Sequence, residues 1–305
     1  MYWIFCIIML FYGQALFAKV LLLTHSYNRP DFIALQEATF KRFLQDEYEF
    51  VVFNDGPTPK LARKIEEECA QLGIRCVSIP QEIHQQPYLT RQPWEDVNCP
   101  SVRTANALQY SFNTLGFQHE GLVAVVDSDM FLIREFSIEE YLGDASIAAV
   151  GQWRGSMGCI QYIWNGIMFF NMETLPNKHT LNFNCGTVLG NHTDTGGFTY
   201  YYFQQNPEVR VKYMRGQVDL TDGDCIADSY TLEDREYLSQ EEVLERVAYS
   251  QPLVQLIKAP PDDIQFFLDF AFLHYRRAGN YNSKSHNYHQ GKTQNFENFI
   301  HHILQ

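Results

Sequence analysis

Cationic side chains are scarce in this 305-residue chain: 23 Lys and Arg stand against 36 Asp and Glu, a formal net charge of −13. That balance argues against a nucleic-acid backbone or an anionic membrane surface as partner, because both would be repelled. A nucleotide bound through a divalent cation is compatible with it. Cysteine is thin as well, and none of the seven is spaced Cys-x-x-Cys, which argues against a zinc cluster. The sequence has no internal repeat, no low-complexity tract and no interdomain linker, so one domain over residues 19–305 is expected. Residues 1–18, MYWIFCIIMLFYGQALFA, lack any charged side chain and end in the small Ala18. They resemble a secretory signal cleaved before Lys19, although the usual Lys or Arg of its first part is missing. An uncleaved anchor, with membrane proximity, is the alternative; 18 residues containing Gly13 and Gln14 are short for a span. An exported protein is therefore expected.

What is present starts with apolar mass: 46% hydrophobic and 15% aromatic residues are ample for a core. Six cysteines lie beyond the leader, an even count that permits disulfides in an exported protein. Asn191-His192-Thr193 is a glycosylation sequon.

The most informative stretch is Gly121 to Ile133, GLVAVVDSDMFLI. Its apolar run from Leu122 to Val126 suits a strand covered on both faces, as in a parallel sheet flanked by helices. Strand alternation would send Asp127 and Asp129 to the same side where the chain leaves the sheet. Open α/β sheets bind ligands beyond the carboxyl ends of their strands. Two carboxylates there repel unless a cation sits between them, and hard oxygen ligands suit Mg²⁺ or Mn²⁺. A second Asp-x-Asp, Asp222-Gly223-Asp224, has no apolar strand before it and reads as a loop. As a calcium loop it fails, with Ile226 and Ala227 where an oxygen ligand and a Gly are needed.

Along the chain, KVLLLT (Lys19 to Thr24), Phe50 to Phe53 and Ile74 to Ile79 read as strands. Helices are expected from Asp31 to about Leu44, and after Thr58 as N-cap with Pro59 in the first turn and Gly73 as the stop. This alternation indicates right-handed βαβ units. Pro80 to Pro100 reads as a long loop of the kind that often forms a lid. Ser101 is expected to cap a helix running to Leu115. Ser137-Ile-Glu-Glu140 and Ser239-Gln-Glu-Glu242 are capping boxes. Ile147 to Val150, Ile167 to Asn171 and Val209 to Tyr213 read as strands, and Thr195 to Gln205 as a short aromatic helix.

This order of features resembles the GT-A glycosyltransferases from Lys19 to about Ser285. The resemblance implies a Rossmann-like, mostly parallel sheet flanked by helices. It also implies a metal-dependent enzyme that moves a sugar from a nucleotide diphosphate, UDP-sugar foremost, to an acceptor. The front half is similar to the inverting family 2: THSYNRP follows the first strand, and VVFNDG ends the second. That likeness makes Asp55 the acceptor of a base N–H, on uracil or guanine, and sets Arg103 near the uracil or the diphosphate. The back half is similar to the retaining, glycogenin-type family 8. Trp164-Asn165-Gly166 resembles its F-N-S-G-V strand, which puts Asn165 at the donor sugar. Phe272-Leu273-His274-Tyr275 with Gly279 and Lys284 resembles its closing H-Y-x-G-x-x-K motif, which makes His274 the third metal ligand and Lys284 a diphosphate ligand. Gly279 follows His274 by five residues where that motif has three, and the motif's following Pro-Trp is absent.

Both families place acidic catalytic residues before a helix equivalent to FTYYYFQQN, which points to Asp194 as the base for the acceptor hydroxyl. A helix N-cap is the structural role open to the same Asp. Trp94, Trp153 and Trp164 are candidates to stack on sugar rings or to fill the core. The two halves point to opposite stereochemical outcomes, and the acceptor is a carbohydrate, a lipid or a protein. One rival, a sugar-nucleotide pyrophosphorylase, needs a Gly-rich, Arg-ending loop after the first strand, where HSYNRP stands instead. The other is a non-catalytic carbohydrate-binding or host-interaction protein on the same scaffold.

Overall fold

The chain was analysed as a computed structural model that describes residues 20–85, 99–155, 160–214, 218–220, 236–247, 250–258, 264–276, 278 and 286–305. The leader, the second Asp-x-Asp, Trp94, Gly279 and Lys284 lie outside these residues. No helix among them is long and apolar enough to cross a membrane.

Strand burial on both faces organises the molecule. In β1 (Val20–Ser26), Leu21 and Leu23 face one layer with Val51, Phe53, Val123 and Val125. Val20 and Leu22 face the other, with Phe50, Val52, Ala124 and Val126. The first layer is covered by α3 (Pro100–Thr114) through Ala107, Leu108 and Phe112. Two helices cover the second: α1 (Asp31–Phe43) through Ile33 and Phe40, and α2 (Pro59–Leu72) through Ile65 and Cys69. Such two-sided cover is why the strands read as unbroken apolar runs and not as alternation.

The main sheet has seven strands. They are β1, β2 (Tyr48–Asn54), β3 (Arg75–Ser78), β4 (Leu122–Val126), β6 (Ile147–Arg154), β7 (Ile160–Asn171) and β10 (Val211–Tyr213). In space the order is β10-β6-β7-β4-β1-β2-β3, and all lie parallel except β7, which is antiparallel to both neighbours. The expected α/β class with a mostly parallel sheet is the class observed. Because the chain builds outward from β1 to β3 and then returns to place β4 on the other side of β1, the order reverses between β1 and β4. A crevice at such a reversal is where open α/β sheets take ligands.

A second, five-stranded sheet runs β12-β11-β13-β14-β5. Its members are β5 (Met130–Leu132), β11 (Val218–Leu220), β12 (Glu236–Leu238), β13 (Ile264–Phe267) and β14 (Phe272–Tyr275). Three residues, Asp127 to Asp129, join β4 of the first sheet to β5 of the second. A hairpin of β8 (Gly186–Val188) and β9 (Asn191–Thr193) precedes α5 (Thr199–Gln205).

Several local expectations shift. The α3 helix begins at Pro100 with Cys99 as N-cap, because proline suits the first turn, where an N–H has no helical partner. Ser101 is inside the helix, and its carbonyl accepts the Thr195 hydroxyl at 2.8 Å. The aromatic helix starts at Thr199, not Thr195, since Gly196 at φ 91° cannot be helical. Both β6 and β7 extend beyond their expected ends as a long antiparallel pair with a register shift between Ala149 and Gly151. The caps of Thr58 on α2, Ser137 on α4 (Ile138–Leu142) and Ser239 on α6 (Gln240–Val247) form as expected. Asp46 adds to the Ser137 cap by accepting the N–H of Ile138 and Glu139.

Candidate active site

The strand β4 ends at Val126, and Asp127 opens a turn closed by the Met130 N–H on the Asp127 carbonyl at 3.0 Å. Strand alternation therefore does not set the two carboxylates; a turn does. Neighbours hold that turn from three sides. The Asp127 N–H donates to the Gly166 carbonyl of β7 at 2.8 Å, and the Tyr275 N–H of β14 donates to the Asp129 carbonyl at 2.8 Å. From α1, the fully buried Gln36 amide donates to the carbonyls of Asp127 at 2.8 Å and Met130 at 2.9 Å. Gln36 gives no motif in the sequence; only its burial among apolar neighbours of a helix face hints at it.

The pairing of β14 with β5 puts His274 opposite Met130. This brings one ligand atom each of Asp127, Asp129 and His274 within 4.8 Å of one another. The side chain of His274 is fixed from behind: its Nδ1 donates to Gln265 Oε1 at 3.0 Å, across the β13–β14 pair. A carboxamide oxygen only accepts, so Nδ1 carries a proton and Nε2 faces inward. Asp129 Oδ1 lies 3.2 Å from that Nε2, yet this buried oxygen accepts no hydrogen bond among the described residues. A carboxylate oxygen and a ring nitrogen this close need a cation between them, which a proton on Nε2 or a metal ion supplies. Burial pushes the Asp127 carboxyl up to about 7, and the neighbouring Asp129 carboxylate adds to the effect, against a lowering by His274. Two oxygens and one oriented nitrogen fit a six-coordinate Mn²⁺ or Mg²⁺ that takes its remaining ligands from water and phosphate.

Trp164 borders this group. Its indole stacks on Phe267, with centroids 5.4 Å apart and planes at 21°, and meets the His274 ring at 5.6 Å. It folds across Gly166 so closely that a Cβ there would lie 2.1 Å from the indole. Asn165, between them on β7, is half-buried. Trp153 is also half-buried.

Beyond the end of β2 lies a second polar cluster. Asp55 is buried, and its carboxylate takes a forked pair from Arg103 of α3, Nε to Oδ2 at 2.8 Å and Nη2 to Oδ1 at 2.6 Å. His84 Nε2 adds a third bond to Oδ1 at 2.7 Å. The guanidinium of Arg103 lies over the half-exposed Tyr27 ring at 4.9 Å. Asp55 and Arg103, expected separately, are thus partners, and His84 joins them without any motif to announce it. Nearby His25 donates or accepts at Ser111 Oγ, 3.0 Å away, and burial pushes its imidazole down to about 4.

Asp194 is half-buried in the turn before α5. Its Oδ1 accepts the Thr195 N–H at 2.7 Å, and its own N–H donates to the Tyr162 hydroxyl at 3.2 Å. It does not cap α5, whose N-cap is Phe198. Gly196 and Gly197 serve internal packing: a Cβ at Gly196 would lie 2.1 Å from the Ile163 carbonyl, and one at Gly197 1.8 Å from Thr193 Oγ1.

No family model matches the sequence, and the search of curated proteins finds no match to it. Among solved structures, the chain is similar to the galactosyltransferase LgtC in complex with donor and acceptor sugar analogues, at 11% identity and a TM-score of 0.39, over 84% of this chain and 87% of that one. It is similar to the mannosyltransferase PcManGT of Pyrobaculum calidifontis, in complex with GDP-mannose and Mn²⁺, at 10% identity and a TM-score of 0.38, over 80% of this chain and 61% of that one. It is similar to the mannosyltransferase Ktr4p of S. cerevisiae at 8% identity and a TM-score of 0.37, over 52% of this chain and 57% of that one. The chain thus spans little more than half the length of Ktr4p. At these identities and scores the likenesses assign no residue a role; the roles below rest on the side chains.

Proposed function

We propose that this chain is a metal-dependent glycosyltransferase that moves a sugar from a nucleotide diphosphate to an acceptor hydroxyl. The observation that carries this reading is the meeting of Asp127, Asp129 and His274 at the end of β4, with Asp129 Oδ1 accepting no hydrogen bond among the described residues and His274 held beside it by Gln265. These three residues would hold Mn²⁺ or Mg²⁺, and the nitrogen ligand favours Mn²⁺, since Mg²⁺ is most at home among oxygens. Bound there, the cation supplies charge neutralisation for the diphosphate, where negative charge develops as the sugar leaves.

The Asp55 cluster suits the base. Among the described residues Oδ1 accepts two bonds and Oδ2 one, which leaves a single lone-pair site on the carboxylate. One acceptor matches the one imide N–H of uracil, whereas the guanine edge presents two donors side by side. This supports UDP over GDP. Tyr27, whose ring centroid lies 4.9 Å from the Arg103 guanidinium, offers a ring on which a base can stack. Asn165, beside the metal ligands on β7, is assigned to the sugar, and Lys284 to the diphosphate. Asp194 accepts the proton of the acceptor hydroxyl as its oxygen bonds to the anomeric carbon and the bond to the diphosphate breaks. The acceptor is a carbohydrate, lipid or protein hydroxyl.

A donor screen reading UDP and GDP release, with and without Mn²⁺, tests the reading. UDP release that needs Mn²⁺ and disappears in Asp129→Ala is expected, with Asp222→Ala retaining turnover. Mn²⁺-dependent turnover that survives Asp129→Ala would overturn the metal assignment. Tight binding of UDP with no release from any sugar donor would make the protein a binder on this scaffold.

A further inference from the structure

Two cysteines outside the site are brought together by a helix end. The helix α2 closes in a Schellman turn: Gly73 sits at φ 69°, the Gly73 N–H donates to the Ala70 carbonyl at 3.3 Å, and the Ile74 N–H donates to Cys69 at 2.9 Å. This turn reverses the chain onto the last turn of the helix, so that β3, starting at Arg75, runs back past Cys69. Cys69 is fully buried between α2 and the sheet, and Cys76 on β3 packs against the same cluster while keeping part of its surface in solvent. Cys76 pairs in register with Val52 of β2, which belongs to the same buried cluster as Cys69, so both cysteines face the layer between α2 and the sheet. On the other side, β3 pairs only with β2, and among the described residues it is the sheet's edge.

We propose that Cys69 and Cys76 form a disulfide that fastens the edge strand β3 to α2. The bond closes a short loop whose path is set by the Schellman turn. Its effect reaches the site, because β3 leads through Ile79 to the Gln81–Gln85 turn that presents His84 to Asp55.

The chemistry is exchange with a small-molecule or protein disulfide. Cys76 is the more exposed thiol and the neighbouring Cys69 holds it below its ordinary value, whereas the Cys76 neighbour and burial push Cys69 up. The Cys76 thiolate attacks one sulfur of the oxidant and expels the other as a thiolate, leaving a mixed disulfide. Cys69 then gives up its proton, attacks the Cys76 sulfur and expels the second thiolate. Two protein thiols are oxidised and one external disulfide is reduced to two thiols.

Trypsin cuts after Arg75, which separates Cys69 in residues 65–75 from Cys76 in residues 76–91. The full folded chain is incubated with oxidised glutathione, its remaining thiols are alkylated, and it is digested without reduction. The expected product is the two peptides joined, two hydrogens lighter than their sum, as the predominant form of both, and absent after dithiothreitol. In Cys69→Ser, Cys76 should be recovered as its glutathione adduct. Recovery of both peptides mainly alkylated, or of Cys76 joined to any other cysteine, would overturn the proposal.

Discussion

At the residue scale, the Asp127 carboxyl is the sharpest probe of the site. Burial and the Asp129 charge hold it up to about 7, so below that pH a proton occupies the position a metal must take. Metal competes with that proton, and affinity falls as pH falls. Mn²⁺ binding followed by electron paramagnetic resonance should be near its plateau at pH 8 and lose about tenfold per pH unit below 7. A flat profile between pH 6 and 8 would mean that Asp127 is not a ligand. In the metal-free protein the sign for stability is that of any carboxyl raised on folding: above about 7 the buried group is charged and that charge costs stability, which is regained as pH falls through that value.

Asp194 and His274 should fail in different ways. Among the described residues Asp194 hydrogen-bonds within its own turn and to Tyr162, whereas His274 stands against Asp129. Asp194→Asn should keep Mn²⁺-dependent UDP affinity and lose turnover by roughly 10² or more, the scale of a lost general base. His274→Ala should weaken UDP and metal together. Calorimetric titration of UDP with Mn²⁺ into each variant separates the roles; loss of UDP binding in Asp194→Asn with retention in His274→Ala would reverse them.

At the scale of elements, glycines mark where backbones meet. Gly190, in the β8–β9 hairpin, sits at φ 80° with open space where a Cβ would go. Gly196, before α5, sits at φ 91° with the Ile163 carbonyl of β7 in that space. Gly190→Ala should therefore cost only the left-handed backbone, about 1 kcal/mol. Gly196→Ala adds a collision between two backbones, and about 3 kcal/mol or more is expected. Thermal melts of the two variants measure the difference, and equal shifts would show that the α5 turn can move away from β7.

The joint between the sheets shows the same logic. Three residues between β4 and β5 carry both carboxylates, and their backbone is tied to α1, β7 and β14. A turn held from three elements keeps two like charges close without any strand geometry, which is why the metal group tolerates a break in the sheet at this point.

At the scale of the whole molecule, we propose that the chain is exported and that the mature protein begins at Lys19. N-terminal sequencing of material recovered outside the cytosol is expected to start there, just before β1 at Val20. Intact Met1 in a membrane fraction would instead identify an anchor.

The sequence by itself determined what is local and periodic. Apolar runs such as LVAVV place the strands because burial on both faces leaves no room for polar residues. Thr58, Pro59 and Gly73 bound α2 because each satisfies a helix end within a few residues of itself. Asp127 and Asp129 were legible because a buried strand must discharge its first polar residues at its end. Tertiary structure decided which distant groups join them. The closing-motif resemblance singles out His274 among ten histidines, but only the register of β14 against β5 brings it beside the two carboxylates. Burial of a carboxylate requires a partner, and the fold supplies Arg103 to Asp55 across 48 positions and Gln265 to His274 across a strand pair. A hydrogen bond between side chains far apart in sequence leaves no period and no spacing, so Gln36, His84 and Gln265 become visible only when the sheets have formed.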